Sequence, residues 1–418
     1  MHTHNVKTAL GGVDKFTFEP AKPTDRSAFN GEFSGYLRPD GRVGIRNELW
    51  IIPTVGCVGQ TAKHIANEAN RRLKDGFDGV FAFDHPYGCS QLGDDHERTQ
   101  ALLAALVKHP NAGGVLVLGL GCENNHIEAF RACLGAVDES RVKFLSAQDV
   151  FDETEAALSL IDELVHVMKA DVRTPQPLSK LVVGLKCGGS DGFSGITGNP
   201  LVGAFCDGLC MAGGSAILTE VPEMFGAETF LFNRCRDKET FDQAVSMVDK
   251  YKRYFIRYGQ PIYENPSPGN KKGGITTLED KSLGCTQKGG TSPVVGVLGY
   301  AQPLQEQGLN LAYGPGNDGC AITALAAAGA QIILFTTGRG TPMGAPVPTL
   351  KIATNHELAV KKPHWIDFDA SCVLTGTPMR SAAESLYSLV LACASGQRAV
   401  NEQFGQRTIT IFKDGVTL

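Results

Sequence analysis

The sequence has no apolar run near the roughly 18 to 20 residues that a membrane span requires. It also has little net charge of either sign. A formal charge of −5 over 418 residues gives no electrostatic case for nucleic acid or an anionic membrane. The first residues, MHTHNVKTALGG, lack the apolar centre of a signal peptide, so a cytoplasmic location is expected. Several site motifs are missing as well. There is no G-x-x-x-x-G-K-[ST], no H-E-x-x-H and no C-x-x-C. Gly119-Leu-Gly121, which follows a predicted strand, lacks the third glycine of a dinucleotide fingerprint. Nucleotide binding is therefore a weak reading, and the zincin reading drops out. The closest pair of thiols, Cys206 and Cys210, sits four residues apart on a predicted helix and reads as packing.

What is present is glycine, cysteine and a repeated grammar. Forty-nine glycines fall largely after apolar runs, where they suit loops that cradle a ligand. Twelve cysteines in a chain without an export signal imply reduced thiols, used for packing, metal ligation or catalysis. After an extended arm at residues 1–34, Leu49 to Pro53 reads as a buried strand, and a helix is predicted from Thr61 to about Leu73. The next units carry strands at Gly79 to Phe83, Val115 to Leu120 and Val142 to Ser146, with helices from about Asp94 to Lys108 and Asp149 to Lys169. Strand, short turn, helix, strand is the signature of a parallel, doubly wound sheet, which binds ligands beyond the carboxyl ends of its strands. Cys57, Cys89 and Cys122 each follow a glycine just past a strand, so all three are placed at that edge.

Residues 170–180, with two prolines and no apolar pattern, mark a boundary. The expected organisation is an arm at 1–34, a first α/β domain at 35–170 and a Rossmann-like α/β domain at 178–418, both with mostly parallel sheets. The second domain opens on Leu181 to Leu185, followed by Lys186, Cys187, two glycines, Ser190 and Asp191. The stretch 265–290, dense in Gly, Pro, Ser, Thr and Lys, is expected to be a long loop, either an anion-binding element carrying Lys271 and Lys281 or a solvated lid. His2 and His4 have the spacing of two ligands on one face of an extended segment, or belong to a surface tail. Thiols and imidazoles favour iron or zinc over magnesium, and the polar residues around them suit a carboxylate-bearing substrate. A metal-assisted lyase or hydratase acting on a hydroxy acid fits these parts.

Longer motifs sharpen this. Arg38 to Trp50, YGCSQLGDDH at 87–96, GLGCENN at 119–125, CGGSDGFSGITGNP at 187–200, TEVPEMFGAE, ENPSPGNKKGGITTLEDKSLGCTQK, TGRGTP and KIATN together resemble the altronate dehydratase/galactarate dehydratase family. The resemblance runs from about residue 35 to the end and implies ferrous-iron-dependent loss of water from a sugar acid, with D-altronate preferred. Manganese and a [4Fe-4S] cluster are the alternative cofactors, and galactarate dehydratase or a sulfolactate sulfo-lyase large subunit the alternative activities. Members commonly carry an N-terminal SAF-type domain ending in a segment like His2-Thr3-His4-Asn5. That domain is expected on a separate small subunit or in a missing N-terminal part, and a homodimer is expected. Under this resemblance His85 and His96 are the candidates for proton transfer. Arg46, Lys271 and Arg339 are candidates for the substrate carboxylate, and Asn47, Ser190, Asp191 and Asn270 for its hydroxyls. Cys57, Cys89, Cys122 and Cys187 form the candidate iron-ligand pool, with Glu123, Glu220 and Asp318 as oxygen alternatives.

Overall fold

A computed structural model of the chain describes residues 10, 15–20, 28–73 and 75–415. His2 and His4 lie outside the described residues. Strand β1 (Glu32–Leu37) pairs antiparallel with the short β2 (Val43–Gly44). Next come β3 (Glu48–Pro53), β4 (Val80–Ala82), β5 (Ala112–Gly119) and β6 (Val142–Ser146), which form a parallel sheet in the order β4-β3-β5-β6. β7 (Thr174–Pro177) then returns to the other side of β1, closing a three-stranded antiparallel sheet. The remaining strands are β8 (Val182–Cys187), β9 (Ser215–Leu218), β10 (Val294–Leu298), β11 (Leu309–Ala312), β12 (Ile332–Thr337), β13 (Thr349–Ala353) and β14 (Phe368–Asp369). They build a seven-stranded parallel sheet in the order β10-β11-β9-β8-β12-β13-β14.

The alternation of side chains along β3 explains the layering. Leu49 and Ile51 face a core shared with the helices Gly59–Arg72 and Glu153–Met168. Trp50 and Ile52 face the opposite way, into a core that also contains Leu102, Leu106 and Val117 from the first half and Ile217, Ile322, Leu325 and Ile333 from the second. The two parallel sheets therefore share one hydrophobic layer, with the helices Gly93–Val107 and Asp318–Ala327 inside it. The outer face of the larger sheet is covered by the helices Gly198–Met211, Lys238–Arg257 and Met379–Ala394. Helix starts follow their caps: Asp152 accepts from the N–H groups of Thr154 and Glu155, and Asp237 from that of Thr240.

Three local expectations change. The arm expected to run to residue 34 ends in β1, whose polar sequence gave no strand signal and whose stability comes from pairing with β7. The boundary segment at 170–180 contains β7 itself. Residues 265–290 are folded rather than a loop: they hold the helices Pro268–Lys272 and Leu278–Thr286 and a further turn at Gln287–Gly289. Ser267 and Thr277 cap those helices, which is why a stretch poor in apolar residues still folds.

His109 ties the halves together. It is buried, stacks on Trp50, and its Nε2 lies 3.2 Å from the Ala330 carbonyl in the second half. Its Nδ1 accepts from the Asn111 N–H, so the neutral ring carries its proton on Nε2 and has no room for a second. Burial holds its pKa down at about 3, with the nearby charges of Arg42 and Arg38 adding to the shift and the Ala330 bond opposing it. The folded value lies below the unfolded one, so this group's contribution is complete above the ordinary imidazole range and is lost as pH falls. Stability should drop by about 1.4 kcal/mol per pH unit below roughly pH 6.5 through this residue alone. Urea titrations of the wild type and His109→Gln between pH 7.5 and 5 should show a shallower acid dependence in the variant; parallel dependences would refute the assignment.

Candidate active site

The carboxyl ends of β8, β9 and β11 converge on one buried cluster. β8 supplies Lys186 and Cys187, the turn after β9 supplies Glu220 and Glu223, and the helix that follows β11 supplies Asp318. The helix Leu278–Thr286 presents Lys281 and Cys285 on one face, four residues apart, and the next turn adds Lys288. Lys186, Lys281, Lys288, Glu220, Cys187 and Cys285 are all buried. Gly188 makes room for this: a Cβ there would sit 2.6 Å from Asp318 Oδ1.

The charges are interlocked. Lys186 Nζ lies 2.9 Å from Glu220 Oε1 and also pairs with Asp318. Lys288 Nζ donates to Cys187 Sγ at 2.8 Å and to Glu220 Oε2 at 3.2 Å. Lys281 Nζ reaches Glu223 Oε2 at 2.6 Å, Cys285 Sγ at 3.1 Å, Ser190 Oγ at 3.2 Å and Cys187 Sγ at 3.6 Å. The two sulfurs are 3.3 Å apart, and Cys285 Sγ lies 2.7 Å from Glu223 Oε2. The hydrogen bond with Cys285 and the three ammonium groups push the Cys187 thiol well down against the cost of burial. Burial and the neighbouring Cys187 push Cys285 well up. The pair thus shares one proton, as a thiolate beside a thiol. Burial raises Glu220 to about 7 despite the opposing pull of Lys186. For Lys281, burial favours the neutral amine, but Cys187, Cys285 and Glu223 outweigh it and keep the ammonium.

Beside the cluster lies a cavity of about 230 Å³, whose wall includes Ser190, Asp191, Ser194, Asn199, Lys281, Cys285 and Gln287. Among the described residues, the trio of Cys, His and acidic ligand atoms lying within 4.8 Å of one another belongs to Cys187, Glu223 and Cys285. Two sulfurs and a carboxylate would suit ferrous iron by type. The position they surround is already taken, however, because the Lys281 ammonium lies within 3.6 Å of all three. As these side chains stand, the cluster's cation is a lysine, and it does not fit a metal ion.

The expected site residues divide sharply. Cys187, Ser190 and Asp191 belong to this region. Asp191 is held by Ser194 and Thr354 on Oδ1 and by Asn355 on Oδ2, which fixes the loop around the cavity. Asn270 is one step removed: its amide donates to the Ser190 carbonyl at 2.9 Å and it caps its own short helix. Lys271 and Arg339 are exposed, Arg339 lying against Gly189 at the cavity's outer loop. Arg46 and Asn47 are corrections. Arg46 is buried in a two-pronged pair with Glu402, at 2.9 and 2.8 Å, and donates to the carbonyls of Ile45, Cys393 and Gln397. Asn47 bonds Arg38 and the Met168 carbonyl. Arg46 has no donor left for a substrate, and Asn47 is buried against Arg38 and Met168.

His85 is a correction too. His85 is buried, with Nε2 at 2.9 Å from the Pro53 carbonyl and Nδ1 accepting from the Tyr87 N–H. Burial lowers its pKa, so it stays a neutral structural ring. His96 sits half-buried on the helix Gly93–Val107 of the first half. Cys57, Cys89 and Cys122 are exposed at the edge of the smaller parallel sheet, apart from the Cys187 cluster. Of the oxygen alternatives, Glu123 is occupied by Thr54 and the N–H groups of Leu120 and Gly121, while Glu220 and Asp318 lie in the cluster. Sequence reasoning missed Cys285 and Lys288 and gave Glu223 no role. The i,i+4 pairing of Lys281 with Cys285 was the available signal.

A doubly wound α/β scaffold that gathers thiols, lysines and carboxylates at its strand ends describes an acid–base enzyme for a small anionic substrate. A profile described as the second domain of D-galactarate dehydratase/altronate hydrolase matches residues 35–169, and one described as the C-terminal part of D-galactarate/altronate dehydratase matches 178–417. The chain belongs to the D-galactarate/altronate dehydratase family. It is 53% identical to an altronate dehydratase of Escherichia coli K12 and 52% identical to one of Bacillus subtilis 168, in each case over 100% of this chain and 85% of the relative. It is 34% identical to the L-threo-forming galactarate dehydratase of Escherichia coli K12, over 89% of this chain and 75% of the relative.

If Arg46 is structural, Arg46→Met should cost about 1.5 to 3 kcal/mol in chemical denaturation, because buried Glu402 then keeps only Arg407 as a charged partner. A variant of undiminished stability with a selectively raised KM would restore Arg46 as a substrate ligand.

Proposed function

We propose that the protein is a carbon–oxygen hydro-lyase that removes water from D-altronate to give 2-dehydro-3-deoxy-D-gluconate. The observation that carries this is the Cys187–Cys285 pair with Lys281 at the wall of the cavity, read together with the names of its two relatives above 50% identity. The chemistry asks for three things. A base must take the weakly acidic proton from C2, beside the carboxylate. Positive charge must stabilise the enediolate that forms, and an acid must protonate the hydroxide leaving C3.

Each has a candidate group on the cavity wall. Lys281 Nζ and Ser190 Oγ receive the substrate carboxylate, and the ammonium is already fixed where the enediolate charge grows, so little reorganisation is needed. Cys285 is the base. It reaches the cavity as a thiolate when its proton passes 3.3 Å to Cys187 behind it, and it then takes the C2 proton. Three ammonium groups keep a negative charge on this pair of sulfurs affordable in the interior. The amides of Asn199 and Gln287 line the part of the cavity where the sugar hydroxyls lie. Breaking the C3–O bond releases hydroxide, which leaves as water with a proton from the Cys285 thiol. The enol then loses its C2 hydroxyl proton, gains one at C3 and becomes the 2-keto acid. Iron, which the family resemblance implies, is given no step here because Lys281 holds the centre of the donors.

Turnover assays should show 2-keto acid formed from D-altronate faster than from galactarate or sulfolactate; turnover of galactarate without altronate would reassign the substrate. Cys285→Ser and Lys281→Met should each lower kcat by about 100-fold or more. In deuterated water, exchange at C2 of altronate should disappear in Cys285→Ser. Persistent exchange in that variant would remove Cys285 as the base.

A further inference from the structure

Four cysteines of the described chain are exposed: Cys57, Cys89, Cys122 and Cys133. Cysteine is normally among the most buried residue types, and exposed free thiols are liable to oxidation. Three of these four nonetheless gather at one place, the carboxyl edge of the smaller parallel sheet. They follow β3, β4 and β5, which are immediate neighbours in the order β4-β3-β5, and adjacent strands lie about 4.8 Å apart. Cys133 is elsewhere, on the helix Ile127–Leu134.

The loops that carry the three thiols are laced together and rigid. The Gly56 N–H donates to the Tyr87 carbonyl at 2.8 Å, which ties the Cys57 loop to the Cys89 loop. The Asn125 N–H donates to the Gly88 carbonyl at 3.0 Å, and the Ser90 N–H to Asn124 Oδ1 at 2.8 Å, which ties the Cys89 loop to the Cys122 loop. Asn125 Nδ2 adds a bond to the Thr54 carbonyl at 3.0 Å. Gly88, at φ +101°, allows the approach: a Cβ there would lie 2.0 Å from the Thr54 oxygen. Buried Glu123 fixes the turn before Cys122 by accepting from the Leu120 and Gly121 N–H groups. Nothing in the proposed reaction uses this construction.

We infer that Cys57, Cys89 and Cys122 form a three-thiolate site for an iron–sulfur cluster of the [4Fe-4S] type. Soft thiolates select iron and sulfide over hard cations. The trio of ligand atoms close enough to converge on one ion lies elsewhere in the described residues, so the edge sulfurs are spaced too widely for a single ion. A polynuclear cluster holds its thiolates farther apart than a single ion does. Three thiolates ligate three of its irons and leave the fourth facing solvent, open to an oxygen ligand such as a carboxylate or hydroxyl. This site is independent of the reaction proposed for the Cys187 cluster and stands or falls separately.

The test is anaerobic reconstitution of the full chain with ferrous iron and sulfide. The wild type should turn brown and bind about four irons and four sulfides per chain. Cys57→Ser, Cys89→Ser and Cys122→Ser should each lose most of both, whereas Cys133→Ser and Cys285→Ser should retain them. Because a variant can misfold, maleimide labelling of the loaded wild type provides a second reading. Cys57, Cys89 and Cys122 should be protected and Cys133 modified, and chelation should expose all four. Iron without sulfide, no iron at all, retention in the three edge variants, or labelling of the edge thiols in loaded protein would each overturn the inference.

Discussion

The constraint on which the site depends is the burial of three ammonium groups beside the ends of one sheet. Lys186, Lys281 and Lys288 are each no more than 2% exposed, so none is solvated by water in any useful sense. An isolated buried ammonium would lose its proton rather than bear the desolvation cost. These keep theirs because Glu220, Glu223, Asp318 and the Cys187 thiolate lie within a few ångströms. The dependence is mutual, since Cys187 is a thiolate only because those lysines surround it. Glu220 stands at the hinge of this network. It bridges Lys186 and Lys288, accepts from the Cys187 N–H, and adopts a left-handed backbone conformation at φ +70°. A non-glycine residue keeps that conformation at some cost, and here the network over-determines it.

The fold makes such a network buildable by supplying its members from separate strand ends. β11, β9 and β8 lie side by side, so residues distant in sequence meet at one carboxyl edge. The helix Leu278–Thr286 then closes over that edge and brings the remaining lysine and thiol. On the other side, the larger sheet shares its hydrophobic layer with the smaller one. The two carboxyl edges are thereby held on one rigid body while carrying different chemistry: a charged, buried edge in the second half and an exposed thiol edge in the first.

Much of this architecture was legible in the sequence, and the exceptions have physical causes. Buried parallel strands are short, continuous apolar runs, which is why β3, β5, β6 and β8 were recognisable from pattern alone. Cys187, Ser190 and Asp191 could be chosen as candidates because they follow a strand. Arg46 and Asn47 were misread through neglect of the same rule: they precede β3, so they sit at the amino edge, opposite the side where ligands bind. His85 does follow a strand, but residue type could not reveal that both its nitrogens are spent on the backbone. Residues 265–290 carry little apolar signal because the helix Leu278–Thr286 buries lysine, serine and cysteine beside one leucine, Leu278. A polar helix that packs on a polar site leaves no amphipathic trace.

The charge count explains why an anionic substrate belongs at this cavity even though the cluster itself is not positive. With Glu220, Glu223, Asp318 and the Cys187 thiolate ionised, the three lysines leave one negative charge over. A carboxylate arriving beside Lys281 would add a second, in surroundings where uncompensated charge is costly. Glu220 can relieve this, because burial has brought its pKa to about 7, where a proton is exchanged readily at neutral pH. Taking up that proton restores the count without moving any lysine. Lys281, already on the cavity wall, can then meet the carboxylate of the substrate from where it stands. The same feature that makes the empty cluster stable, near-neutrality achieved with one marginal proton, allows it to accept a charged ligand and to hold the further charge that develops when C2 loses its hydrogen.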